Sequence, residues 1–216
     1  MTVFRAVLWD FGGVLTTSPF EAFARLEAER GLPEGFLRRV NATNPDANAW
    51  ARLERNEVDL DAFDAAFAAE STELGHTVDG RDVLAVLGGD LRPAMLDAVL
   101  ACKAAGLRTA LLTNNTVSST EGGDAGWHGT VRLEELFDVV VESSKEGVRK
   151  PDPAAYELVL DRLGVAASEV VFLDDLGVNL KPARAMGMTT IKVSDPDEAL
   201  AQLGAILGLP LGAGAP

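Results

Sequence analysis

Histidine and cysteine are almost missing from this chain of 216 residues, which carries two of the first and one of the second. A single cysteine, Cys102, excludes an internal disulfide. It falls in the helical stretch "MLDAVLACKAAG" and is expected as a small buried helix residue. The two histidines, His76 and His128, leave little material for a histidine-based zinc site or a Ser-His-Asp triad, and both are expected at the surface. Positive charge is also scarce, with 19 Lys and Arg against 33 Asp and Glu, a net charge of -14 and a pI near 4.5. Non-specific binding to nucleic acid or to an anionic membrane needs basic patches, so neither partner is expected. No apolar run approaches the length of a membrane span, and "MTVFRAVLWD" lacks the apolar segment of a signal peptide. The expected compartment is the cytoplasm.

What remains is ordinary globular composition, 47% hydrophobic and 24% charged. The length suffices for one substantial core and a smaller appendage. Five short apolar runs rich in β-formers each end in polar residues: "FRAVLWD", "RTALLTNN", "FDVVVESS", "EVVFLDD" and "MTTIKVSD". Runs of this length separated by helical segments predict buried parallel strands. The intervening helices carry their own punctuation. "RPAMLDAVLACKAAG" has Pro93 near its start and Gly106 as a stop, and "DPAAYELVLDRLG" has Asp152 as N-cap, Pro153 at the first helical position and Gly164 at the end. "NLKPARAMG" leads into "MTTIKV". Residues 17–90 differ: "PFEAFARLEAERG", "PEGFLRRVN", "AWARLERNE" and "DLDAFDAAFAAES" are amphipathic helical stretches with no strand among them. The expected fold is α/β, a Rossmann-like parallel sheet core formed by residues 1–16 plus 91–216, interrupted by a helical unit over 17–90. The loop "SSTEGGDAGWHG" and the tail "LGAGAP" are expected to be mobile.

In an open parallel sheet, ligands bind at the carboxyl ends of the strands, where loops and helix N-termini converge. Those ends carry Asp10, then Thr113 with Asn114, then Lys150, then Asp174 and Asp175. A carboxylate, a hydroxyl beside an amide, an ammonium and a pair of carboxylates suit phosphoryl transfer to a protein carboxylate. Asp10 can attack phosphorus to give an acyl phosphate, which splits one hard hydrolysis into two easier displacements. Mg²⁺, which prefers oxygen ligands, would bridge Asp10, the phosphate and one of the later aspartates. Thr113 and the backbone amide of Asn114 can donate to phosphate oxygens, and Lys150 supplies the balancing cation. Two adjacent acids directly after "VVFL" are costly near a core unless a metal or a cation offsets them. Trp50, Arg52 and Glu54 lie in the helical insertion where it would face a substrate, although helix-face packing explains Trp50 more simply.

"WDFGGVLT", "LLTNN", "RKPDP" and "FLDDLGVN" occur in the order and at the spacing of the four motifs of the haloacid dehalogenase-like hydrolases, a family that this sequence resembles over nearly its whole length. The insertion stands where that family has its type-1 cap. More narrowly, "VVESSKEGVRKPDPAAYELVLDRLGVAASEVVFLDDLGVNLKPARAMGMTTIKV" resembles the phosphatase-type amino-terminal domain of soluble epoxide hydrolases. It is also similar to the equivalent domain of a multidomain acyl-CoA dehydrogenase, whose first motif likewise contains Asp-x-Gly-Gly-Val. The resemblance implies Asp10 as nucleophile, Thr113 as the motif II hydroxyl, Lys150 as the motif III lysine and Asp175 as the metal-binding acid. It further implies that Asp174 helps hold metal-bound water and that Asn179 supports the metal site from behind.

Gly12 departs from the pattern. Phosphatases of the family usually carry aspartate two residues after the nucleophile, whose side chain protonates the leaving oxygen and whose backbone carbonyl is a metal ligand. Gly12 keeps the carbonyl and lacks the acid. General acid-base catalysis contributes about 10²–10⁴-fold, so a slow enzyme, or one whose substrate has an easy leaving group, is expected. The leading expectation is a Mg²⁺-dependent phosphatase acting on a small phosphorylated metabolite such as a sugar phosphate. The alternatives are a weakly catalytic module that binds a phosphometabolite or a partner, and a 2-haloacid dehalogenase.

Overall fold

A computed structural model describes residues 3–115 and 133–211. The loop "SSTEGGDAGWHG", His128 and all of the tail "LGAGAP" except Leu211 lie outside the described residues. Five strands form one sheet in the order β3-β2-β1-β4-β5, and every pairing is parallel. They are β1 (Ala6–Trp9), β2 (Arg108–Thr113), β3 (Val139–Glu142), β4 (Val170–Asp174) and β5 (Thr189–Lys192), one within each of the five expected runs.

Side chains alternate across a strand, and both faces of this sheet are covered. Val7 and Trp9 with Leu111 and Leu173 point to one layer, where Met95, Val99, Leu200 and Leu203 pack. Ala6 and Leu8 with Leu112 and Phe172 point to the other, against Tyr156, Val159 and Leu180. That two-sided burial is why the strands read as continuous apolar runs and not as an alternation.

Five helices fall within residues 17–90: α1 (Pro19–Arg30), α2 (Phe36–Ala42), α3 (Ala49–Glu54), α4 (Leu60–Glu73) and α5 (Gly80–Ala85). They enclose their own apolar cluster, built on Phe23, Phe36, Leu37, Phe63 and Phe67. Their connection to the sheet is a narrow neck, in which Thr16 and Leu91 form an antiparallel bridge and Thr17 N–H donates to Asp90 O at 2.9 Å. After the neck come α6 (Pro93–Ala104), α7 (Leu133–Leu136), α8 (Ser143–Glu146), α9 (Pro153–Leu163), α10 (Gly177–Ala185) and α11 (Pro196–Leu207). Helices α6 and α9 start on the prolines read from the sequence, and the Asp152 side chain caps α9 through Ala154 N–H at 2.9 Å. Helix α11 is absent from the sequence reading although it has the same grammar: Asp195 accepts from Asp197 and Glu198 N–H, Pro196 follows, and Gly208 closes it in the left-handed conformation. Cys102 is fully buried on α6, and His76 is exposed beside Phe36.

Candidate active site

The chain runs β1, β2, β3 outward in one direction and then crosses to β4, so the strand order reverses between β1 and β4. Such a reversal opens a crevice at the carboxyl ends of the strands. Trp9 is level with Leu173, and Asp10 N–H donates to Leu173 O at 2.9 Å. The next residues on the two strands, Asp10 and Asp174, therefore emerge side by side at the crevice.

Lys150 sits between them. Its Nζ lies 2.6 Å from Asp10 Oδ1 and 2.8 Å from Asp174 Oδ2. All three groups are buried, with Lys150 only 1% exposed. The lysine is delivered by the turn that opens α9, where the Lys150–Pro151 peptide is cis. Asn114 clamps that turn with both ends of its amide: Oδ1 accepts from Lys150 N–H at 2.9 Å, and Nδ2 donates to Lys150 O at 3.0 Å. Asn115 ties the end of β2 to β3, donating to Glu142 Oε1 and accepting from the Ser144 hydroxyl.

Asp174 is saturated by protein donors. Oδ1 accepts from Leu176 N–H at 2.8 Å, Oδ2 accepts from Lys150, and Asn179 Nδ2 reaches both oxygens at 3.0 and 3.1 Å. Asn179 is itself anchored through its carbonyl, which accepts the Tyr156 hydroxyl at 2.7 Å. Asp175 belongs to a different environment, next to the β1 turn. Gly13 has φ of 77°, and a Cβ there would lie 2.4 Å from Asp175 Oδ2. Only glycine allows that approach.

Oxygens of Asp10, Asp174 and Asp175 all lie within 4.8 Å of one another. Burial pushes the Asp10 carboxyl well above the usual range; the Lys150 ammonium opposes that rise, while Asp174 and Asp175 add to it. Asp175 is pushed up to about 6 by burial and by Asp174. For Lys150, burial acts downward, but the Asp10 and Asp174 charges and hydrogen bonds outweigh it and hold the ammonium above its ordinary range. Three carboxylates facing one ammonium leave an excess of negative charge in a water-poor pocket. That imbalance, made of hard oxygen donors, is what a divalent cation relieves.

Above the strand ends lies a cavity of about 870 Å³ shared by the sheet and the helical insertion. Asp10, Gly12, Thr113, Asn114, Lys150, Asp175 and Asn179 all line it, so of the eight site residues expected from the sequence only the buried Asp174 lies behind the wall. The insertion contributes mostly apolar surface, including Phe20, Phe23, Trp50, Leu84 and Leu87. Trp50 does both jobs considered for it: its ring packs edge-on against Phe23, Phe63 and Phe67 while lining the cavity. Arg52 is exposed and does not line it.

Arg149 and Arg38 are among the cavity residues that the sequence reading did not single out. Arg149 precedes the site lysine and pairs with Glu54 of α3, Nε to Oε2 at 2.6 Å; its only signal was its place beside Lys150 in "RKPDP". Arg38 on α2 stacks over the Phe20 ring at 4.7 Å. Gly35, at the N-cap just before this helix, has no capping side chain, so Glu27 from α1 accepts the Gly35 and Leu37 N–H groups at 2.8 Å instead. A cap supplied from eight and ten residues away leaves no local motif to read.

Comparison with known proteins places these motifs in one family. The haloacid dehalogenase-like hydrolase model matches residues 4–187. Acyl-CoA dehydrogenase family member 10 of Mus musculus is 37% identical over 218 residues, covering 99% of this chain and 20% of that protein. Bifunctional epoxide hydrolase 2 of Sus scrofa is 34% identical, covering 96% of this chain and 39% of that protein. The chain thus spans between a fifth and two fifths of the length of these relatives. A sesquiterpene phosphatase of Aspergillus oryzae is 27% identical over 203 residues, covering 90% of this chain and 92% of that protein. Among solved structures, a HAD family enzyme of Bacteroides thetaiotaomicron in complex with magnesium and inorganic phosphate shares the fold, with a TM-score of 0.58, 20% identity and coverage of 88% of this chain and 93% of that one.

Proposed function

This chain belongs to the haloacid dehalogenase-like hydrolases, and on that premise we propose that it is a Mg²⁺-dependent phosphatase that hydrolyses a phosphate monoester through an aspartyl phosphate on Asp10. The observation that carries the reading is the buried Asp10–Lys150–Asp174 arrangement at the strand-order reversal, with Asp175 beside it. Both the Phe11 N–H, at 2.7 Å, and Lys150 Nζ, at 2.6 Å, bind Asp10 Oδ1. That fixes the carboxylate and leaves Oδ2 as the attacking oxygen. Attack on phosphorus forms the Oδ2–P bond, breaks the ester P–O bond and releases the alcohol oxygen. Water then attacks the same phosphorus, freeing Asp10 and inorganic phosphate. Thr113 and the Asn114 N–H hold phosphate oxygens in both steps, and Lys150 offsets the charge that develops between Asp10 and phosphate.

The donor set suits magnesium. Asp174 is committed to Lys150, Leu176 and Asn179, so Asp10, Asp175 and the Gly12 carbonyl would hold the ion. When bound, it supplies positive charge against the incoming phosphate and polarises the P–O bonds. The proton for the leaving oxygen has no side-chain donor at Gly12, which favours substrates with easy leaving groups or modest turnover.

We further propose residues 17–90 as a cap that selects the substrate, with residues 1–16 and 91–216 as the core. The apolar wall of Phe20, Phe23, Trp50, Leu84 and Leu87 favours a phosphate ester with an apolar body over a sugar phosphate. The likeness to a sesquiterpene phosphatase over 90% of this chain supports the same choice. Phosphate release from sugar phosphates, an acyl phosphate and prenyl alcohol phosphates, with Mg²⁺ and with EDTA, tests this in wild type and Asp10→Asn. Equal release by both proteins refutes the mechanism. Chloride release from a 2-haloacid in EDTA would make the chain a dehalogenase instead.

A further inference from the structure

We infer that Glu54, carried by the helical insertion, is a positioning residue that sets the placement of Lys150 across the insertion-core boundary. Glu54 is buried, 7% exposed, and each of its oxygens is occupied. Oε1 accepts from Trp50 Nε1 at 2.9 Å, within its own helix. Oε2 accepts from two residues of the sheet unit: Arg149 Nε at 2.6 Å and Asn114 Nδ2 at 3.3 Å. These are the two residues that define the backbone of Lys150. Arg149 is its chain neighbour, and the Asn114 amide holds both its N–H and its carbonyl. Arg149 is tied to the insertion a second time, Nη1 donating to Pro45 O at 2.9 Å.

An amide nitrogen has two hydrogens. In Asn114 one goes to Lys150 O and the other to Glu54, so the carboxylate fixes the plane of the amide that clamps the lysine. A carboxylate with two core donors and one insertion donor is satisfied only while the insertion stands over the strand ends. Withdrawal of α3 would leave Glu54 without the Arg149 cation and free the Asn114 amide to rotate. The position of the insertion is thereby linked to the position of the ammonium 2.6 Å from Asp10. Glu54 does not serve as the acid missing at Gly12, because both of its oxygens are taken up as acceptors by Trp50, Arg149 and Asn114.

The inference rests on the phosphatase reading only for its kinetic consequence, and the test separates the two. In Glu54→Ala and Glu54→Gln, the Lys150 amide is expected to exchange with D₂O about tenfold faster or more, while amides in the centre of β4 keep wild-type protection. For phosphatase activity, kcat is expected to fall roughly 10–100-fold, as for a misplaced catalytic group. KM should change less, and Glu54→Asp should recover part of kcat. The reciprocal pair Glu54→Arg with Arg149→Glu should restore activity relative to either single change. Unchanged Lys150 exchange together with wild-type kcat in Glu54→Gln overturns the inference. Faster exchange in a protein that releases no phosphate upholds the positioning and sinks only the phosphatase reading.

Discussion

Gly13 and Asp175 lie so close that a methyl group on Gly13 would sit 2.4 Å from the Asp175 carboxylate, on a backbone with φ of 77°. The second glycine of "DFGG" is thus required by packing. Gly13→Ala combines left-handed strain with displacement of Asp175. A loss of about 1–3 kcal/mol of stability is expected from the strain, measured by thermal unfolding, with weaker Mg²⁺ binding by calorimetry. A variant with wild-type stability and metal affinity would contradict the close approach.

Lys150 places its ammonium between two buried carboxylates. Removing one partner of a buried ion pair typically destabilises by about 3–5 kcal/mol, so Lys150→Met should unfold at markedly lower temperature at neutral pH. The sign with pH follows from Asp10. Its folded-state carboxyl is raised, so its contribution to stability is most favourable when protonated and declines as the pH rises through the raised value. Without the Lys150 cation, burial and the neighbouring Asp174 and Asp175 raise it further, and the variant should recover stability on acidification from pH 8 towards 5. A melting temperature independent of pH would be inconsistent with it.

Asp175 gives a second pH signature. Burial and Asp174 push its folded carboxyl up to about 6 from an ordinary value of 3.8, so its contribution to stability is fully present below the ordinary value and lost as pH rises through about 6. At neutral pH the metal-free site therefore holds unfavourable negative charge that a bound Mg²⁺ would offset. The rise in melting temperature on adding Mg²⁺ should be larger at pH 7.5 than at pH 5.5 and should shrink in Asp175→Asn. Equal shifts at both pH values would argue against a metal at these carboxylates.

Cys102 is an internal control on the fold. Burial pushes its thiol up to about 11, and the thiolate is the reactive form. Iodoacetamide at pH 8 should leave the native protein unmodified and label it fully in denaturant. Rapid labelling of the native state would show that α6 is not packed as described.

Much of this was legible because strand ends and helix starts carry local signals. Asp10, Thr113 and Asp174 follow apolar runs that only a two-sided sheet explains, and Pro93 and Pro153 begin their helices. Asp152 and Gly164 bracket α9 in the same way. What sequence did not reveal is long-range. The Glu54–Arg149 pair joins residues 95 apart, and the Asn114 clamp joins residues 36 apart. Asp174 is expected from the resemblance near metal-bound water; the structure adds its hydrogen bonds from Lys150, Leu176 and Asn179. That saturation depends on Asn179 and Leu176 folding back over it, which a row of residues does not disclose.

Trapping the covalent intermediate is the most direct test of Asp10 as nucleophile. Protein quenched in acid during turnover of a prenyl alcohol phosphate with Mg²⁺ should yield, on peptide mass analysis, the fragment containing Asp10 with one added phosphoryl group. The same fragment from Asp10→Asn should carry none. Phosphate release with no phosphoryl group on the Asp10 fragment, or undiminished release by Asp10→Asn, would contradict the mechanism.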